Sequence, residues 1–169
     1  MLFLNVADDR VAALLKDPAR LLVLGDGGAP VDLMCDAGYC TYLLGKWVRG
    51  NELMSLEHAI YRLTAQPADL FGIRDRTRLA AGLAADIAIF DPRMVGSPER
   101  PVRRQDLPGG GKRFVTPSCG ILWTIVNGAV TYEAGAMTGA RRPGAVRLRP
   151  RLRLTAPASG GDTSRWSRA

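Results

Sequence analysis

The amino-acid sequence predicts an α/β chain that passes into a small β region. Three observations carry this expectation. Leu21-Leu22-Val23-Leu24 is an unbroken apolar run between two helical stretches, as a parallel strand buried on both faces would read. After Gly72 the hydrophobic pattern changes from helical spacing to short runs of strand length. Asn127-Gly128 separates two such runs, ILWTIV and AVTYE, and this pair tolerates the positive φ that both central positions of a type I′ turn require.

The elements follow in order. Asp8-Asp9 ahead of Val11, Leu14 and Leu15 gives first-turn carboxylates followed by apolar residues at i, i+3 and i+4, and Pro18 ends that helix. The run 21–24 supplies the buried strand, with Asp26 just past its carboxyl end, and a second helix is expected roughly over Thr41 to Arg49. Ser55 caps a third, whose apolar positions Leu56, Ala59, Ile60 and Leu63 recur at helical spacing before Pro67. Strands are expected over 86–91, 120–126 and 129–133. The division is residues 1–72 for the α/β part, 73–146 for the β part and 147–169 for a tail expected to be disordered.

Composition narrows the function classes. The net charge of +7 comes entirely from the end of the chain, where eight arginines over residues 141–169 face Asp162 alone. The rest is neutral, so a basic module gripping nucleic acid or an acidic partner through that tail is the weaker reading. Met1-Leu2-Phe3-Leu4 lacks a basic flank and runs at once into Asn5 and Asp8-Asp9, which suits neither a signal peptide nor a membrane span; a cytoplasmic protein is expected. Cys35, Cys40 and Cys119 lack metal-site spacing and are expected to be reduced.

Few residues are candidates for chemistry. Gly25-Asp26-Gly27-Gly28 lacks the spacing of a phosphate loop, and its carboxylate would repel a phosphate. Pro108 to Arg113 lacks the first glycine and the Ser/Thr of a P-loop and reads as a turn. His58, the only histidine, is about 200° around its helix from Leu56 and points to solvent. One histidine and three scattered cysteines do not make a zinc site, so no metal ligand is assigned in this chain. Asp26 remains. It is either a carboxylate presented at the catalytic end of a parallel strand or an ordinary turn residue that caps a neighbour.

The order of motifs then resembles a known family. VLGDGGAPVDLMCDAGYCTYLLGKWVR, SLEHAIYRLTAQPADLFGIRDR, LAAGLAADIAIFDP, QDLPGGGKRFV and TIVNGAVTYEAGAMTGARRPG resemble, in that order, the carboxyl-terminal part of metal-dependent amidohydrolases of the N-acyl-D-amino-acid deacylase (D-aminoacylase) type, over roughly residues 6 to 146. The resemblance implies the end of a (β/α)₈ barrel, incomplete here, with part of an accompanying β-sandwich. It also implies a zinc-activated water that attacks an amide carbonyl, and it gives Asp26 the role of the catalytic carboxylate that moves the proton from water to the leaving amine. Zinc is the cofactor expected for the family. Its ligands, a His-x-His pair among them, would lie upstream of Met1, so the isolated chain is expected to be inactive. A separate chain carrying the missing barrel half, or self-association, is the expected partnership. Pro30 and Lys46 stand where the family usually has histidine, and Cys40 where proline is usual.

Overall fold

The computed structural model describes residues 7–22, 25, 28, 31–33 and 35–140. Helix α1 spans Asp8–Lys16, with Asp8 and Asp9 in its first turn and Lys16 in its last, each charge opposing the helix dipole. No residue of α1 is fully buried, but Val11, Ala12 and Leu15 pack on the core. Helix α2, Tyr39–Tyr42, runs on without a break as a π-helix over Leu43–Gly50. This wider coil buries Leu43, Leu44 and Trp47.

Helix α3, Leu56–Leu63, begins at the Ser55 cap that the sequence predicts; the Ser55 side chain accepts a hydrogen bond from the His58 amide at 3.2 Å. Helix α4, Ala65–Phe71, follows at once and contains Pro67. Proline is harmless there because the first-turn amides of a helix have no partner within it. Gly72 closes α4 in the left-handed conformation, φ +69.

The β part is one four-stranded antiparallel sheet, with strands β1 (Ile87–Phe90), β4 (Ile121–Val126), β5 (Ala129–Glu133) and β6 (Ala136–Met137) in that spatial order. A separate hairpin joins β2 (Val102–Arg104) to β3 (Arg113–Val115). The turn at Asn127-Gly128 has φ of +48 and +80, the pair of positive values that type I′ requires. Asp86 anchors its tip: one carboxylate oxygen accepts from the Asn127 amide at 2.7 Å and the other from Arg76 at 2.7 Å.

The core lies where the two parts meet. Leu43, Leu44 and Trp47 from the π-helix pack with Ala59 of α3 and with Val95 of the turn after β1.

Two expectations are revised. Leu21 and Leu22 are not in a strand. A parallel strand needs a neighbour to pair with, and the described strands pair only among themselves. Val23, Leu24 and Asp26 lie outside the described residues, as does the tail from 141 onward. The second revision is the β2–β3 hairpin, which the sequence does not disclose.

Two glycines separate backbone strain from collision. Gly128 has φ +80 and open space around the position of a Cβ, whereas Gly120, at φ +73, faces the Val95 backbone. Gly128→Ala should cost about 1–2 kcal/mol, the left-handed penalty alone. Gly120→Ala should lower the thermal midpoint clearly further, because backbone must also move; circular dichroism melts of both variants check the order.

Candidate functional site

The described residues on either side of Asp26 in the chain are held by the connections before and after it. Ahead of it, Asp17 folds the chain back after α1: its carboxylate accepts from the Ala19 amide at 2.9 Å and from Arg20 Nε at 3.2 Å, contacts that hold this carboxyl below its ordinary range. Arg62 of α3 donates to the Leu15 carbonyl at 2.5 Å and the Arg20 carbonyl at 2.7 Å. Gln66 of α4 donates to the Pro18 carbonyl at 3.0 Å.

After the loop, residues 31–41 are fastened to the β part. The Val31 carbonyl accepts from the Phe114 amide at 2.6 Å, so Val31 lies along the free edge of β3. Thr116 donates to the Cys35 carbonyl at 2.9 Å, and the hydroxyls of Thr41 and Ser97 are 2.5 Å apart. Gly25 closes the frame: a Cβ there would lie 2.9 Å from the Asp36 carbonyl oxygen and 3.1 Å from the Tyr39 ring. Glycine at position 25 is therefore required by close approach of backbone to backbone.

Between α1, Leu21, Leu22 and the π-helix is an apolar cavity of about 360 Å³, lined on its far side by Tyr39, Tyr42 and Trp47. Burial pushes the Tyr39 hydroxyl up to about 12, with a contribution from its hydrogen bond with Cys40; burial likewise raises the Cys40 thiol. Lys46 lies over the Tyr42 ring, 5.6 Å from its centre. Its ammonium is 3.0 Å from Asp8 and 3.3 Å from Glu99, and it lies 5.2 Å from the centre of the Trp47 ring. Hydrogen bonding to Tyr42 and then to Asp8 raises it above the ordinary lysine range, so it is held as a cation that ties α1 to the segment after β1.

The residues that the sequence singles out for chemistry are scattered. Asp26 lies outside the described residues. His58 is exposed on α3, its ring 6.2 Å from that of Tyr61. All three cysteines are free thiols, and among the described residues no three His, Cys, Asp or Glu side chains converge as a metal site would require. Among the described residues no helix is long and apolar enough to cross a membrane. Pro108–Gly110 is a short 3₁₀ turn at the tip of the β2–β3 hairpin, in keeping with its reading as a turn. Arg62 and the Thr41–Ser97 pair escape sequence reasoning, since nothing local distinguishes them from surface residues.

Comparison with known proteins decides the family. The amidohydrolase family matches residues 3–132. The chain belongs to the amidohydrolase family. It is 33% identical over 153 residues to an N-acyl-D-aspartate deacylase of Alcaligenes xylosoxydans xylosoxydans, covering 87% of this chain and 26% of that protein. It is 50% identical over 54 residues to an N-acyl-D-glutamate deacylase of the same organism, covering 32% of this chain and 11% of that protein. Among solved structures, an N-acyl-D-glutamate deacylase from Bordetella bronchiseptica, complexed with zinc and a phosphonate inhibitor that mimics the tetrahedral intermediate, matches with a TM-score of 0.55 and 32% identity, over 75% of this chain and 25% of that one. The amidohydrolase chain thus spans about a quarter or less of the length of these relatives. The resemblance of its motifs to the D-aminoacylase type is borne out, and the likeness to the Bordetella enzyme supports a partial amidohydrolase fold.

Two measurements test the frame. Cys119 is exposed, whereas Cys35 is buried and Cys40 is partly buried with its thiol pushed up by that burial, so a thiol reagent at neutral pH should label one cysteine quickly and two slowly. Mass spectrometry of the labelled peptides should place the fast label at Cys119. On the hairpin, Arg113 holds the Asp106 carboxyl below its ordinary range through paired contacts at 2.7 and 2.8 Å. A folded value below the unfolded one gives stability that is present at neutral pH and lost as pH falls through the folded value. Asp106→Asn should therefore melt below the parent at pH 7, and the gap should close as the pH is taken below the ordinary carboxylate range.

Proposed function

We propose that the chain carries part of the active site of a metal-dependent N-acyl-D-amino-acid deacylase, which hydrolyses the amide carbon–nitrogen bond of an N-acylated D-amino acid. The observation that carries this reading is the amidohydrolase match across residues 3–132 together with 33% identity to an N-acyl-D-aspartate deacylase over 153 residues. In this reading residues 1–72 belong to the end of a (β/α)₈ barrel, residues 73–146 belong to the accompanying β-sandwich, and the arginine-rich end from 147 takes no part in the chemistry.

Asp26 is the catalytic carboxylate. It accepts the proton of the water that attacks the amide carbonyl and hands that proton to the departing amine, acting as general base and then as general acid. The frame around it serves this role. Gly25 allows the chain to pass against the 36–39 backbone, and the Val31, Cys35 and Thr41 contacts fix the loop's exit to the β part.

Zinc accompanies the Bordetella relative, and a metal is expected for the family. The described residues do not fit it, since no three ligating side chains converge among them, and no step is assigned through it. The ligand set has to be completed from outside these residues, by a separate chain bearing the remaining barrel strands or by the remainder of a longer polypeptide.

The test combines metal analysis with amine release. The purified chain alone should retain less than one zinc per chain and release no amine from N-acetyl-D-aspartate or N-acetyl-D-methionine. Adding the complementary barrel portion of a related deacylase as a second chain should restore both, and Asp26→Asn in the reconstituted enzyme should remove turnover while zinc content stays. Full turnover by the Asp26→Asn variant would overturn the assignment of Asp26.

A further inference from the structure

The most deeply buried charge in the described structure makes no salt bridge among the described residues; Asp17, whose carboxyl its field helps to hold down, is the acidic group it acts on. Arg62 is 1% exposed. Its two terminal nitrogens are spent on the Leu15 and Arg20 carbonyls, and its Nε has no partner among the described residues. Burying a guanidinium without a direct ion pair is costly, several kcal/mol in real proteins, so its position calls for a compensating field beyond the distant Asp17 carboxylate. The Leu15 carbonyl belongs to the last turn of α1, the negative end of that helix, and supplies part of it.

The second carbonyl has a different place in the chain. Arg20 is the residue immediately before Leu21-Leu22, and the chain then leads to Asp26 six residues on. Gln66 holds the Pro18 carbonyl from the same side, so α3 and α4 together grip the connection at three carbonyls, those of Leu15, Pro18 and Arg20. These are side-chain donors to backbone acceptors, so the grip fixes the path of the main chain whatever side chains it bears.

We propose that Arg62, supported by Gln66, is a positioning residue that sets where the chain enters the Asp26 loop. The inference rests on the proposed role of Asp26 for its catalytic meaning, but not for its geometry. Arginine suits the task as observed. Its planar fork holds two carbonyls from two separate nitrogens in a fixed geometry, whereas a lysine offers a single ammonium on a flexible stem. A loop-borne carboxylate has to be held to within a fraction of an ångström to act as a base, and a rigid neighbouring helix is the means of holding it.

The peptide bond that Arg62 grips, Arg20–Leu21, is also a trypsin site, and the Arg20 side chain is itself exposed. Its carbonyl must be released before cleavage. In the full chain, Arg62→Lys should raise the rate of trypsin cleavage after Arg20 by about ten-fold or more, while cleavage after Arg103 on the β2–β3 hairpin stays as in the parent; timed mass spectrometry reads both. Gly128→Ala, which weakens the remote hairpin, serves as the control for general loss of stability. If Arg62→Lys does not fold, Gln66→Leu removes the Pro18 contact alone and should still hasten cleavage after Arg20 selectively. Unchanged cleavage after Arg20, or a rise matched at Arg103 as in the control, would overturn the proposal.

In the reconstituted deacylase, Arg62→Lys should lower kcat about ten-fold with KM within about two-fold, because the substrate's own contacts are kept while the base is displaced. A kcat equal to the parent's would overturn the positioning role. If the parent shows no turnover at all, that counts against the proposed function, and the proteolysis alone decides for or against Arg62.

Discussion

The structure depends on one packing contact, the face of the π-helix against the turn that follows β1. Leu43, Leu44 and Trp47 bury themselves on Ala59 and Val95, and the approach is close because Gly45 and Gly96 face each other: a Cβ on Gly45 would stand 2.9 Å from the Gly96 Cα and 3.2 Å from the Val95 carbonyl oxygen. Arg49 then reaches across to the Val95 carbonyl at 2.5 Å and the Pro92 carbonyl at 3.3 Å. With the helical part pinned here, the remaining contacts between the two parts fall into place around it. Lys46 meets Glu99, Thr41 meets Ser97, and Gly38 is buried against the Thr116 side chain. Burial of one tryptophan and two leucines removes enough apolar surface, at about 25 cal/mol per Å², to dominate these polar contacts, most of which are at least partly exposed.

The sheet shows the opposite economy. Ile89, Trp123 and Val130 are exposed, although Ile89 pairs with Trp123 and the residues lie on strands that are otherwise well formed. Its backbone hydrogen bonding holds it together more than burial does. Trp123 caps its exposure by donating to Glu133 at 3.1 Å, a cross-strand contact. An apolar sheet face left in water is the mark of a surface that another element covers in a complete domain. It fits a chain that spans a quarter of the length of its relatives.

Features governed by near neighbours in the chain are legible in the sequence. The Asn127-Gly128 turn needs only two residues able to adopt positive φ, and Ser55 needs only a free amide three residues on. The apolar stripe of α3 and the outward His58 follow from helical spacing. Features set by distant partners are not legible. An apolar run such as Leu21 to Leu24 reads as a strand on the assumption that neighbours exist, and pairing is a property of the neighbours. Strands β2 and β3 have three residues each, too few for alternation to show, and their arginines resemble any solvated surface. Arg62 follows the same logic. One turn beyond Ala59 it reads as the polar edge of an amphipathic helix, and only the carbonyls of residues 15 and 20, forty and more positions away, make it interior. The family is legible because the motifs lie in order along the chain; Asp26 lies outside the described residues.

The facing glycines have a consequence for how the amidohydrolase segment comes apart. Where side chains mediate a contact, rotamers can adjust and the two surfaces can loosen by degrees. Where main chain meets main chain, as at Gly45 and Gly96, there is no rotamer to adjust, and a gap of about 0.5–1 Å already forfeits roughly a quarter to a half of the dispersion attraction. The helical and β parts are joined by a latch that is either shut or open, so that loss of the π-helix and loss of the sheet belong to a single cooperative event rather than to two independent meltings.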